Sequence, residues 1–123
     1  MRSRLLTLVA SLALAVGGLV LVSAGPAAAA PAHCSGWNTH PDLYNLGDFS
    51  FGDGTYIRSG PYTDCPANGQ GFPNHGIDVH CLVYNSSGNV WIYLRDTTTG
   101  VNGWSRIDAL RISGSGSIRN CYS

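Results

Sequence analysis

No lysine and no glutamate occur anywhere in the 123 residues of this chain. Both are good helix formers, so little is left from which to build surface helices. Positive charge rests on arginine alone, and from His33 onward five Arg face seven Asp, a formal charge of −2 with neutral histidines. That balance excludes a basic face for nucleic acid. It also leaves no polybasic or amphipathic segment for a membrane surface. The cysteines include no C-x-x-C or other close pair, which removes the usual spacing of a structural zinc site. There is no internal repeat, and no carboxylate pair sits in a recognisable catalytic motif.

What is present begins with a segment unlike the rest. Arg2 and Arg4 precede a charge-free run from Leu5 to Val22, broken by Gly25-Pro26 and followed by small residues Ala27 to Ala30. A charged start, an apolar middle and an A-x-A end predict a secretory signal peptide over residues 1–32. The run is just long enough for a membrane span. Ser, Thr and Gly dilute it, however, and no basic cluster follows as a stop signal. Ala30-Pro31-Ala32 offers a cleavage triplet that avoids proline directly after the cut and leaves His33 as the new N-terminus. His33 also precedes Cys34 where a lipid-attachment site wants Gly or Ala, so the product is expected to be free, not anchored. The expectation is a secreted chain of 91 of the 123 residues, counted from His33. That is one domain with a limited core and no membrane association after signal removal.

Cys34, Cys65, Cys81 and Cys121 all lie in the exported part. An even count in a small secreted domain predicts two disulfides. On the loop-entropy model each stabilises by roughly 3 to 5 kcal/mol. Three connectivities are possible. The favoured one joins Cys65 to Cys81 as a local staple and Cys34 to Cys121 as a clamp on the two ends. No metal and no cofactor is expected.

Gly and Pro punctuate the chain, and strand signals dominate. His75 to Tyr84 alternates, with Ile77, Val79, Cys81 and Val83 on one face. A polar turn over 85–89 leads to Val90 to Leu94, which alternates again, so the two runs predict a β-hairpin. A second turn spans Asp96 to Asn102, and Gly103 to Arg106 reads as a short strand. Ile107 to Leu110 is expected to form one helical turn, and Arg111-Ile112 to start a last strand. Upstream, Tyr56 to Ser59 is a short strand followed by an irregular stretch over 60–74. Residues 33–53 carry Trp37, Tyr44, Phe49 and Phe51, too many aromatics for a free tail. Short strands, a long irregular loop and tight hairpins predict an all-β fold, a small antiparallel barrel.

Three segments in order resemble a known family. Thr55-Tyr56-Ile57-Arg58-Ser59-Gly60-Pro61 resembles the opening signature of bacterial SH3-like domains, Trp91-Ile92-Tyr93-Leu94 the central tryptophan strand, and Gly103-Trp104 through Leu110 the closing segment. Tyr56 stands where the family favours Asn, and Ser105 where it favours Val. The resemblance covers 54–112 and implies an SH3-like barrel there. Residues 33–53 would then be an N-terminal extension packed on it, and 113–123 a Gly/Ser tail carrying Cys121. The Cys65–Cys81 pair is similar to that of small secreted actinobacterial versions.

The resemblance implies non-catalytic binding, often of cell-wall peptidoglycan, by a module expected to act as a monomer. Sugar and peptide ligands on a barrel need exposed aromatic faces and a few fixed polar groups. Tyr56, Tyr62, Trp91 and Tyr93 are the candidate ligand-binding aromatics, with Arg58 as a possible carboxylate fork. Against this, Trp91 and Tyr93 could pack under residues 33–53, Arg58 could pair with Asp53 or Asp108, and Trp104 reads as core. The negative net charge argues against simple adhesion to an anionic wall, so a wall ligand must be recognised by shape and stacking. The alternative is a secreted protein partner, with the chain acting as inhibitor, toxin or adaptor. A small hydrolase is the least favoured reading, because its thiolate route needs a free cysteine and His75 and His80, five apart on a strand, point to opposite faces. Asn85-Ser86-Ser87 matches a glycosylation acceptor but reads as a turn.

Overall fold

Gly, Pro and Asn-Ser-Gly turns interrupt the chain before any run grows long, so its strands are short. The computed structural model describes residues 17–18, 29–38, 40–114 and 116–122. Most of the expected signal peptide lies outside the described residues. A 3-10 turn, Ala32–Cys34, comes first. The strands are β1 (Phe49–Phe51), β2 (Thr55–Arg58), β3 (Ala67–Gly71), β4 (Ile77–Tyr84), β5 (Val90–Asp96), β6 (Asn102–Arg106) and β7 (Leu110–Ile112), with a 3-10 turn at Ile107–Ala109. β3-β2-β6-β5-β4 form one antiparallel sheet, and β1 pairs with β7 in a second.

The chain is all-β with two disulfides. Among the described residues the expected closed barrel is not formed: β3 and β4 are opposite edges of an open sheet. The β4 edge is occupied by other parts of the chain instead. Leu43 N donates to His80 O (3.0 Å), Leu82 N to Arg119 O (3.0 Å), and Cys121 N to Leu82 O (2.9 Å). Leu82 and Asn120 thereby form a parallel bridge that covers an edge otherwise open to foreign strands. No helix among the described residues is long and apolar enough to cross a membrane.

The β4–β5 hairpin forms as its alternation predicts, but one residue changes which face each side chain occupies. Val79 pairs with Leu94 and Cys81 with Tyr93, leaving His80 as the extra residue of a β-bulge. Ile77, Val79, Cys81 and Val83 were expected on one face. The bulge divides them. Val79 joins a core with Tyr44, Phe49, Phe51, Ile57, Ile92, Leu94 and Leu110, against which Ile77 also packs. Cys81 and Val83 instead join Trp91, Tyr93, Trp104 and Cys121 on the opposite face. Both faces of β5 are consequently buried, and Trp91 through Leu94 are four consecutive interior residues.

β1 and β7 serve the first face, and the chain ends cover the second. Trp37 and Leu43 pack on the Trp91–Tyr93–Trp104 cluster. Asp48 ties the ends together: its Oδ2 accepts from the Tyr44 hydroxyl at 2.9 Å, and its carbonyl accepts from Ser113 N at 2.7 Å. β1 thus lies within the segment expected to be an extension, and its Phe49 and Phe51 are core residues. β3 lies within the stretch expected to be irregular. Ala-Asn-Gly-Gln-Gly has no strand propensity of its own and forms a strand because β2 supplies a partner, Tyr56 facing Gln70.

The disulfides join Cys34 to Cys65 and Cys81 to Cys121, correcting the favoured connectivity. Cys65 follows β2, near one edge of the sheet, whereas Cys81 lies in β4 at the other. β2 and β4 are three strand spacings of about 4.8 Å apart, more than twice the roughly 6 Å Cα separation a disulfide spans. The bulge turns Cys81 toward the tail, where Cys121 lies at a Cα–Cα distance of 5.0 Å. At the other staple the chain must be bare: a Cβ on Gly60 would meet Cys65 Sγ at 3.0 Å and Cys34 Cα at 3.1 Å.

Asp96, fully buried, organises the β5–β6 turn. Its Oδ1 accepts from Thr98 N (2.9 Å) and Thr99 N (3.1 Å), and its Oδ2 accepts from His75 Nδ1 at 2.6 Å. Burial acts to raise its pKa, but the His75 bond and the two turn amides outweigh it, and the carboxyl sits below its ordinary value. A depressed folded-state pKa adds stability above the unfolded value of about 3.9, and that stability is lost as pH falls through the folded value. Asp96→Asn is expected to cost about 2 kcal/mol near neutral pH, since it strands buried donors. The gap to wild type should close at pH values below the ordinary carboxylate range, as read by urea titration. Removing Cys81–Cys121 with paired serines should cost about 4 kcal/mol, from a sequence separation of 40, and non-reducing peptide mapping should return only the two pairs described.

Candidate functional site

The Cys34–Cys65 bond brings together side chains that are remote in sequence. His33 and Asp64, each one residue before a bonded cysteine, meet through His33 Nε2 and Asp64 Oδ1 at 2.7 Å. The His33 ring also packs against Tyr62, with centroids 4.4 Å apart. Tyr62 then reaches the β4–β5 loop, its hydroxyl 3.3 Å from Ser86 Oγ. These groups and Trp91 line a cleft of about 440 Å³, within the size range of small-ligand sites.

The loop side of the cleft is held rigidly by Asn85. Its Oδ1 accepts from Ser87 N (3.1 Å) and Asn89 N (3.0 Å), while Nδ2 donates to Pro61 O (2.8 Å). This buried amide is fully engaged, so the Asn85-Ser86-Ser87 acceptor pattern is a turn, as expected. Opposite it, the His33 hydrogen bond is the main cause of an Asp64 pKa below the ordinary carboxylate value, and the Arg58 charge adds to it. Asp64 is therefore an anion at neutral pH.

Trp91 supplies the unusual feature. It is 2% exposed, and its indole Nε1 has no hydrogen-bond partner. Buried donors are normally satisfied, and leaving one unmade costs about 1–3 kcal/mol. The other two indoles are engaged: Trp37 Nε1 donates to His33 O at 2.7 Å, and Trp104 Nε1 to Trp37 O at 3.5 Å.

The five candidate residues therefore separate. Tyr62 and Trp91 share the cleft just described. Tyr93, 4% exposed, lies at a second cleft with Trp37. Trp91 and Tyr93 pack under the N-terminal segment and present no open aromatic face. Tyr56 and Arg58 form their own pair on β2, with the guanidinium carbon 4.8 Å from the ring centroid. Arg58 Nη1 donates to Cys65 O at 2.9 Å, so among the described residues it pairs with neither Asp53 nor Asp108; the latter meets Arg106 at 3.2 Å. Trp104 is core, as expected. Ser105 is fully buried and donates to Tyr56 O at 2.8 Å, tying β6 to β2.

None of His33, Asp64 and Asn89 stands among the candidate site residues read from the sequence. For His33 and Asp64 the signal was available only through the pairing of Cys34 with Cys65, whose neighbours they are. For metal binding, Asp42, Asp78 and His80 hold ligand atoms within 4.8 Å of one another. This oxygen-rich set suits a hard divalent cation as well as it suits water. The other His/Cys/Asp clusters use half-cystines, whose sulfurs are not thiolate ligands. Among the described residues no cysteine is free.

Compared with known proteins, the chain matches no family model, no curated protein and no solved structure. The Asp64 carboxyl should titrate below the ordinary carboxylate range in carbon-detected NMR, and His33→Ala should return it upward. An unmoved Asp64 would show that the His33 contact does not hold in solution.

Proposed function

We propose that the chain is a secreted, monomeric, non-catalytic binding module with an SH3-like strand arrangement, and that it engages cell-wall peptidoglycan through the His33–Tyr62–Trp91 cleft. The carrying observation is the cleft itself, where the Tyr62 hydroxyl, the His33 ring and the Asp64 carboxylate converge beside Trp91. Tyr62 and His33 offer ring surface beside it, and Asp64 offers an acceptor for an ammonium or amide donor. Wall peptides and acetamido sugars carry such amides and amines. The carboxylate in turn disfavours phosphate-rich polymers, in keeping with the −2 charge from His33 onward.

Two further observations support the reading. The three segments that resemble the family fall on β2, β5 and β6, which lie side by side in the five-stranded sheet, the third running on into the start of β7. Two disulfides suit an oxidising, extracellular compartment.

Purified walls should retain the protein, and Tyr62→Ala with Asp64→Asn should weaken retention by roughly tenfold, about 1.4 kcal/mol, while Arg111→Ala leaves it unchanged. Soluble wall fragments should shift the Trp91 indole resonance more than those of Trp37 and Trp104. Retention indifferent to the cleft substitutions, or no retention, rejects the proposal.

A further inference from the structure

A second groove, of about 630 Å³, shares no lining residue with the first. Trp37 and Asn38 border it from the N-terminal segment, Ser59 from just after β2, Asn68 from β3, Tyr93 from β5 and Asn102 from β6. Its chemistry differs from that of the first cleft. Among the described lining residues there is no carboxylate, no guanidinium and no imidazole. The only titratable lining group is the Tyr93 phenol, whose pKa burial raises further, so it stays neutral.

The groove is also held in shape. Trp37 is fixed by its bond to His33 O at 2.7 Å and by edge-to-face packing on Trp104, centroids 5.5 Å apart. Asn68 Nδ2 donates to Asn102 O at 3.1 Å, which leaves its side-chain oxygen as an acceptor. Gly103 adds no side chain to the floor; β2 runs so close that a Cβ there would strike the Arg58 carbonyl. The bare floor follows from strand packing, and the carboxamides project around it.

These groups restrict the ligand. An anion would find no cation, and a cation no carboxylate. A purely apolar molecule would strand three carboxamides and two hydroxyls, those of Ser59 and Tyr93, against surface that cannot bond them. Carboxamides offer a donor and an acceptor side by side, matching neighbouring hydroxyls that each both give and accept. An indole ring beside them suits the C–H face of a saturated ring. We infer that this groove binds a neutral, hydroxyl-rich sugar ring, with Trp37 beneath the ring and Asn38, Asn68 and Asn102 on its hydroxyls. This inference stands apart from the wall-binding proposal, because it uses a different cleft and a different ligand charge.

The test is an NMR titration of the full mature protein with a soluble β-linked glucose hexamer, and with the same hexamer sulfated. The neutral hexamer should shift the Trp37 indole and the Asn38, Asn68 and Asn102 side-chain amides, saturating with a Kd on the order of 1 mM. Asn38→Ala and Asn102→Ala, at exposed positions, should each weaken binding roughly fivefold, the loss of one net hydrogen bond. Asp64→Asn, in the first cleft, should leave it unchanged. No saturable shift at these groups, equal binding of the sulfated hexamer, or equal sensitivity to Asp64→Asn would overturn the inference. Wall retention in the Asn38→Ala protein reports on the first cleft separately, so failure of one reading is distinguishable from failure of the other.

Discussion

The constraint on which the structure depends is that its central strand is buried on both faces. Trp91, Ile92, Tyr93 and Leu94 are consecutive interior residues, so apolar surface must be covered on two sides of one sheet. A chain this small lacks the regular elements for a second full layer. It uses its ends instead: Trp37, Leu43 and the tail around Cys121 pack on Trp91, Tyr93 and Trp104. Segments without internal hydrogen-bond ladders lose much entropy on docking. The two disulfides offset that loss, each anchoring one end segment.

Both clefts follow from this solution. Cys34–Cys65 anchors the N-terminal segment that contributes to both. Its sequence neighbours His33 and Asp64 meet, adding a carboxylate and an imidazole to the first cleft. In the second, Trp37 and Ser59 border a groove of amides and hydroxyls. A covering segment added to bury hydrophobic surface thus supplies the polar and aromatic groups with which a ligand could be held. The bulge at His80 contributes at the opposite edge, turning Cys81 toward the tail and opening backbone contacts to Leu43.

Much of the fold was legible in the sequence. The alternation over 77–84 and 90–94, the polar turn between them and the short strands at 55–58 and 102–106 all have local causes in residue pattern and turn chemistry. What was not legible depends on pairing at a distance. No local signal marks His80 as a bulge, because burial still alternates through it; only the partner strand shows the missing pair. The disulfide pairing followed from strand order, which separates Cys65 from Cys81 despite their nearness in sequence. β3 exists because β2 needs a partner, and β1 because Leu110–Ile112 does. The candidate site was half legible for the same reason: Tyr62 and Trp91 stand out as aromatics, whereas His33, Asp64, Asn68 and Asn102 gain meaning only once the staple and the sheet are assembled.

The Cys34–Cys65 staple holds the N-terminal cover on the Trp91–Tyr93 face and thereby shapes the two clefts. The most direct test is amide and indole hydrogen exchange on a Cys34→Ser/Cys65→Ser protein. The account expects the β4–β5 hairpin amides to stay protected while residues 33–43 and the Trp91 and Trp37 indoles exchange far faster than in the wild type. Unchanged protection of those indoles and of 33–43 would contradict it, because the cover would then be held by packing alone.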